Sequence, residues 1–156
     1  MIMDLSPNEI IAIASDHAGF GLKGVLDQKI RSYGFGVLNL GPLDESSVDY
    51  PVYAGMLASA LITGEATRGI AICGTGVGMS IVLNRTPGVR AAVCSSPDVA
   101  ELARRHNDAN ILVLGARVME ERVAVHCLDI FFETSFEGGR HARRVGLIDN
   151  SDNSNI

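Results

Sequence analysis

The sequence predicts an α/β fold, a parallel sheet covered by helices on both faces. Short apolar runs alternate along the chain with longer amphipathic or alanine-rich runs, which is typical of repeated strand–helix units. The short runs are apolar at successive positions, as expected for strands buried on both sides. These two observations favour a parallel sheet between two layers of helices.

Each element has its own signal. The predicted strands are the short apolar runs at residues 10–15, 36–40, 68–73, 88–94 and 110–115. Helical spacing of apolar residues, or proline, serine and glycine at the expected ends, predicts helices at residues 21–34, 50–64, 77–85, 96–106, 120–133 and 137–148. Ser95 or Ser96 is the expected cap of the fourth helix, with Pro97 in its first turn.

Length and composition limit the class of protein. At 156 residues, 47% of them hydrophobic, the chain is predicted to form one domain over residues 1–148, followed by a polar, disordered tail over 149–156. A net charge of −5 argues against nucleic acid or an anionic membrane as a partner. The three cysteines lack C-x-x-C spacing and the N-terminus lacks a signal pattern, so a cytoplasmic protein with free thiols is expected.

Polar residues follow the predicted strands, where ligands of parallel sheets bind. The residues concerned are Asp16, His17, Asp49, Tyr50, Cys73, Cys94 and Arg117. His106 and Asn107 end the helix before the last strand. We expect all of these groups to converge on one edge of the sheet.

Two glycine-rich stretches invite different interpretations. Residues 19–24, GFGLKG, match G-x-G-x-x-G, but the acid that a dinucleotide site needs after the second strand is missing, and Asp16 would repel a pyrophosphate. Close helix–sheet packing is the preferred interpretation there. Residues 74–78, GTGVG, are either a tight turn with Thr75 as a helix cap or a nest of N–H groups that binds an oxyanion.

Cys73 stands immediately before the second glycine stretch. On its own it is either a small buried hydrophobe or, at a helix N-terminus that favours the thiolate, a reactive group. Cys94 and Cys127 lack such a loop and are expected to be structural.

A basic cluster near the C-terminus is Arg140, His141, Arg143 and Arg144. It is either a solvated helix end whose cations suit the helix dipole or a phosphate site, because Arg140 and Arg144 at i, i+4 share one helix face. A metal site using Asp16, His17, Cys73 and His106 is disfavoured, because no pair has ligand spacing and the arginines would repel a cation.

Five blocks in order, SDHAGF, DYP, ICGTGVGMS, RRHNDANILVLGAR and EGGRHARRV, resemble the type B ribose-5-phosphate isomerases of the ribose/galactose isomerase family. The resemblance runs from about Ile10 to Val145. It implies a three-layer α/β/α sandwich with a five-stranded, Rossmann-like parallel sheet. It also implies a metal-independent aldose–ketose isomerase without a cofactor, in the non-oxidative pentose phosphate pathway. Homodimers or tetramers of dimers with sites at the subunit interface are expected.

The resemblance also implies a role for each matching residue. Cys73 is the base that moves a proton between the first two carbons, with Thr75 beside it, Asp16 handles the hydroxyl protons, and His106 opens the sugar ring. Substrate contacts are implied for His17, Tyr50, Gly74, Thr75, Gly76, Val77, Gly78, Asn107, Arg117, Arg140 and Arg144, and less strongly for His141.

The choice of substrate stays open within this resemblance. Allose 6-phosphate and galactose 6-phosphate are alternatives, although the retained Cys73 favours ribose 5-phosphate. A non-catalytic module that binds a sugar phosphate or a nucleotide is a further alternative, and such a module would not depend on Cys73.

Overall fold

The computed structural model describes residues 5–150, in which five strands alternate with helices and a sixth helix follows. The strands are β1 (Ile10–Ser15), β2 (Gly36–Asn39), β3 (Arg68–Cys73), β4 (Ala91–Val93) and β5 (Ile111–Gly115). The helices are α1 (Phe20–Ser32), α2 (Tyr50–Ile62), α3 (Val77–Leu83), α4 (Pro97–Asn107), α5 (Glu121–Glu133) and α6 (Arg140–Asp149).

The five strands form one parallel sheet in the order β2-β1-β3-β5-β4. Helices α1, α4 and α5 contribute buried residues to a core on one face, and α2 and α3 contribute to a second core on the other. β3 is buried along its whole length, as its continuous apolar sequence predicts. The predicted α/β/α sandwich is therefore confirmed.

Helix α4 shows how local sequence fixes an element. The Ser96 hydroxyl accepts a hydrogen bond from the N–H of Val99 at 3.3 Å, and Pro97 occupies the first turn. The helix is capped at its C-terminus by Asp108, which has a left-handed backbone (φ 45°) and pairs with the Arg90 and Arg104 guanidiniums at 3.1 and 2.8 Å. These contacts fix the position of the last turn of α4.

The C-terminal boundary differs by one residue from the prediction, because α6 includes Asp149. Asn150 caps this helix, and residues 151–156 of the predicted tail lie outside the described residues, as do residues 1–4. Between residues 5 and 150, none of the helices combines the length and the apolar character that a bilayer-spanning helix requires.

Candidate active site

Cys73 is the last residue of β3 and is only 4% exposed. Its Sγ accepts a hydrogen bond from the backbone N–H of Gly76 at 3.1 Å. Gly76 has a positive φ of 82°, a conformation that glycine adopts without strain. A backbone N–H therefore faces the Cys73 sulfur where β3 meets the glycine loop.

The other two cysteines differ from Cys73 in their surroundings. Both are buried among core side chains. Burial raises the pKa of Cys94 to about 12, with a further contribution from Cys127, and burial raises the pKa of Cys127 to about 11. Both thiols are therefore protonated at neutral pH and act as small core residues.

Side chains from other elements lie against the glycine loop. The Arg117 side chain lies 3.4 Å from where a Cβ of Gly74 would stand, and the Tyr50 ring lies 2.7 Å from the corresponding point at Gly78. Thr75 is exposed, and its hydroxyl accepts a hydrogen bond from the Val77 N–H at 3.3 Å. The residue that caps α3 is Gly76, so the interpretation of Thr75 as the helix cap is wrong by one residue.

Two glycine substitutions are expected to differ in their effect on stability, because an added Cβ would meet backbone atoms at Gly115 and a side chain at Gly78. At Gly115 an added Cβ would lie 2.7 Å from the Thr75 backbone, so Gly115→Ala should lower the free energy of unfolding by about 1–3 kcal/mol. At Gly78 the obstruction is the end of the Tyr50 side chain, which can rotate away. In a urea titration, Gly78→Ala should therefore lower the free energy of unfolding by less than half as much as Gly115→Ala. An equal loss in both variants would contradict this distinction.

Asp16 and His17 follow β1 at the same edge of the sheet. One carboxylate oxygen of Asp16 accepts the N–H of Gly19 at 3.0 Å, which leaves the other oxygen for a ligand. The Nδ1 atom of His17 accepts the N–H of Val48 at 3.2 Å, so the neutral ring carries its proton on Nε2 and can donate it. A cavity of about 360 Å³ opens beside His17 between the first turns of α1 and α5.

A second group of polar side chains surrounds the last turn of α4. The imidazoles of His106 and His141 are stacked, with centroids 4.2 Å apart and planes 7° from parallel. Glu137 places Oε2 at 3.6 Å from His106 Nε2 and at 3.7 Å from His141 Nε2. Glu137 was not among the predicted site residues, because its neighbours in the sequence do not indicate its proximity to His106.

The basic cluster lies at the N-terminal end of α6, which begins at Arg140. Interpretation of the cluster as a helix end that suits cations is therefore wrong, because a helix N-terminus carries positive partial charge. Arg140, Arg143 and Arg144 are all exposed there. Cations added to a positive helix end are favourable only when an anion neutralises them, which supports the phosphate-site interpretation.

The two groups lie at opposite edges of the sheet. Cys73 pairs with Gly115 at the carboxyl ends of β3 and β5, whereas Asn110 accepts the N–H of Gly69 at their amino ends. Asn107 ends α4, a few residues before the amino end of β5. The Glu137 N–H donates to the carbonyl of Arg105 in the same last turn of α4, at 3.0 Å. Six residues of β3 separate the edges by about 20 Å.

The expected convergence of all site residues on one edge is therefore wrong for a single chain. Asp16, His17, Tyr50, Cys73, the 74–78 loop and Arg117 lie at the carboxyl edge; we call this group the thiol half-site. His106, Asn107, Glu137, Arg140, His141 and Arg144 lie at the amino edge; we call this group the histidine half-site. The reason is topological, because a helix that joins two parallel strands returns to the edge where strands begin.

A cation fits poorly at the histidine half-site. His106, Glu137 and His141 are the one group of three possible ligands found between residues 5 and 150, with ligand atoms within 4.8 Å of one another. Parallel stacked rings do not direct their nitrogens toward a common point, and His141 Nε2 already accepts the Arg140 Nε–H at 3.4 Å. Asp16, His17 and Cys73 are not part of this group.

Comparison with known proteins gives one family. Residues 11–148 match the family described as Ribose/Galactose Isomerase. The chain is 44% identical over 138 residues to ribose-5-phosphate isomerase B of Escherichia coli. The aligned region covers 88% of this chain and 93% of that protein.

Solved structures agree with the sequence match. The structure of ribose-5-phosphate isomerase B from Clostridium thermocellum superimposes with a TM-score of 0.91 at 44% identity, covering 92% of this chain and 97% of that one. The structure of Mycoplasma genitalium ribose-5-phosphate isomerase B with bound ribulose-5-phosphate gives a TM-score of 0.89 at 37% identity, and the match covers 94% of this chain and 97% of that one.

Proposed function

Because this chain belongs to the ribose/galactose isomerase family, we propose that it interconverts ribose 5-phosphate and ribulose 5-phosphate. The observation that carries the proposal is the Cys73 thiol, enclosed at a strand end and hydrogen-bonded by the Gly76 N–H. Isomerisation needs a base for a weakly acidic proton next to a carbonyl, and it needs stabilisation of the oxyanion that forms. This loop supplies both.

In the proposed reaction, Cys73 removes the proton from the second carbon of the open-chain aldose and returns it to the first. The electron pair left behind forms an enediolate, whose negative charge is stabilised by N–H groups at the start of α3. The free carboxylate oxygen of Asp16 moves the proton between the two hydroxyl oxygens. Tyr50 packs on Gly78 and closes the loop from one side.

The histidine half-site supplies the remaining steps of the proposal. His106 opens the sugar ring, with Asn107 as a substrate contact. Arg140 and Arg144 bind the phosphate at the N-terminus of α6, where the helix dipole adds to their charge. From the thiol half-site, Arg117 and the Nε2–H of His17 complete the phosphate ligands.

We further propose that two chains form each active site, the thiol half-site of one protomer meeting the histidine half-site of its partner. The separation of about 20 Å within one chain supports this arrangement. A two-fold dimer would complete two equivalent sites at once. Val77 and Ile81 on α3 and Val93 on the edge strand β4 are 53, 54 and 38% exposed, and they offer apolar surface for such an interface.

Removing either phosphate-binding arginine is expected to raise KM for ribose 5-phosphate by about 10- to 100-fold, the effect of losing a charge-assisted hydrogen bond. Arg140→Ala and Arg144→Ala should show this increase in steady-state assays. Arg143→Ala removes the same charge from an adjacent exposed position of α6 and serves as the matched control. A KM for Arg143→Ala as high as for the other two would refute the specific phosphate role.

The proposed activity is tested by assaying the purified protein with ribose 5-phosphate in the presence of EDTA. Turnover that EDTA does not affect is expected, and no turnover would refute the proposal. Allose 6-phosphate and galactose 6-phosphate in parallel assays establish the sugar preference.

We also propose a cytoplasmic location, where a reducing environment would keep the three cysteines as free thiols.

A further inference from the structure

Glu137 is the one acidic residue that the structure places against both stacked histidines. Its Oε2 lies 3.6 Å from His106 Nε2 and 3.7 Å from His141 Nε2. These distances are slightly longer than hydrogen bonds, and catalytic contacts of this kind often shorten once substrate is bound. The proposed function assigns the ring-opening step to His106 but gives Glu137 no task.

The two histidines do not compete equally for the carboxylate. His141 Nε2 accepts the Arg140 Nε–H at 3.4 Å, so this nitrogen carries no proton. Burial lowers the pKa of His141, and the charges of His106, Arg140 and Arg144 lower it further, against an opposing contribution from Glu137. The Nε2 atom of His141 is thus occupied by Arg140, which leaves the Glu137 carboxylate to His106.

The carboxylate is held in place from the α4 side. The backbone N–H of Glu137 donates to the Arg105 carbonyl at 3.0 Å, and Glu137 Oε1 lies 3.6 Å from Arg105 Nη2. Arg105 is itself paired with Glu101 at 3.0 Å, one turn back on the same helix. The two contacts between Glu137 and Arg105 place the Glu137 carboxylate beside His106, the next residue of α4.

We propose that Glu137 is a positioning residue that orients His106 and offsets its positive charge during ring opening. This inference rests on the proposed function. Opening the furanose breaks the C1–O4 bond, forms the C1 carbonyl, and moves the proton of the O1 hydroxyl to O4. His106 carries that proton and is cationic midway. Arg105, Arg140 and Arg144 would oppose a cation there, and Glu137 supplies the compensating negative charge.

The test separates ring opening from the proton transfer at Cys73. Net isomerisation of ribose 5-phosphate requires both steps. Exchange of the C1 protons of ribulose 5-phosphate with D₂O, followed by NMR, requires proton transfer at Cys73 but no ring opening, because this ketose phosphate cannot form a five-membered ring. For Glu137→Gln we expect the isomerisation rate to fall by about 10- to 100-fold, less than the full effect of losing a positioned proton transfer. The exchange rate should stay within about two-fold of that of the wild type.

The matched control is Glu101→Gln, which removes a charge from the same Arg105 without touching either histidine. This variant should leave both rates unchanged. Unchanged isomerisation in Glu137→Gln, or an equal fall of isomerisation and exchange, would overturn the positioning role. If Glu137→Gln does not fold, Glu137→Asp, which withdraws the charge by one methylene group, must show the same selective loss. A wild-type protein inactive on ribose 5-phosphate would instead refute the proposed function itself.

Discussion

Cys73→Ala is expected to lower kcat for ribose 5-phosphate by about 100- to 10,000-fold, the usual value of a positioned proton transfer. The loss should be in kcat and not in KM, because the phosphate contacts are made by arginines elsewhere. Exchange of the C1 protons of ribulose 5-phosphate should fall by the same factor, since Cys73 is the proposed carrier of that proton. The variant loses a side chain that is 4% exposed, so its fold is verified first by circular dichroism.

Cys127→Ala is the matched control, because it removes a thiol that is buried in α5 and whose raised pKa keeps it protonated. Its activity should remain near that of the wild type after correction for any loss of stability. Full activity in a folded Cys73→Ala would refute the role of Cys73 as the base while leaving the isomerase activity intact. Loss of activity in both variants would point to a general packing effect instead.

Periodicity and turn residues predicted the regular structure well. The runs at residues 10–15 and 68–73 coincide with β1 and β3, because the first is buried beyond Ile10 and the second throughout. The run at 88–94 was predicted too long, since β4 covers Ala91–Val93 only. This strand is at the edge of the sheet and has β5 as its sole strand neighbour in the described chain, so fewer residues find ladder partners.

The composition of the site was easier to predict than its geometry. Apart from Tyr50, which begins α2, the residues of the thiol half-site lie within five positions of a strand end, so their common edge can be predicted from the parallel topology. His106 was placed on the correct helix, but the end of a returning helix lies at the opposite edge. The role of Glu137 depends on a backbone contact between Glu137 and Arg105, which are 32 positions apart in sequence, and no local pattern reports such a contact.

Mixing two inactive variants is expected to restore activity, because the proposed sites combine residues of two chains. Cys73→Ala damages the thiol half-site and His106→Ala damages the histidine half-site. In a mixed dimer, one site receives both damaged halves and the other receives both intact halves. Random subunit exchange should therefore recover about one quarter of wild-type activity, since half of the dimers are mixed and each has one working site.

The matched control mixes Cys73→Ala with Asp16→Ala. Both changes affect the thiol half-site, so every site in this mixture contains one damaged half and no recovery is expected. Differently tagged variants, co-expressed and purified through both tags, give the mixed dimer alone, which should reach about half of wild-type activity. Failure of the Cys73→Ala and His106→Ala pair to recover in a verified mixed dimer would refute the shared site. It would require instead that one chain bring together groups that its sheet holds about 20 Å apart.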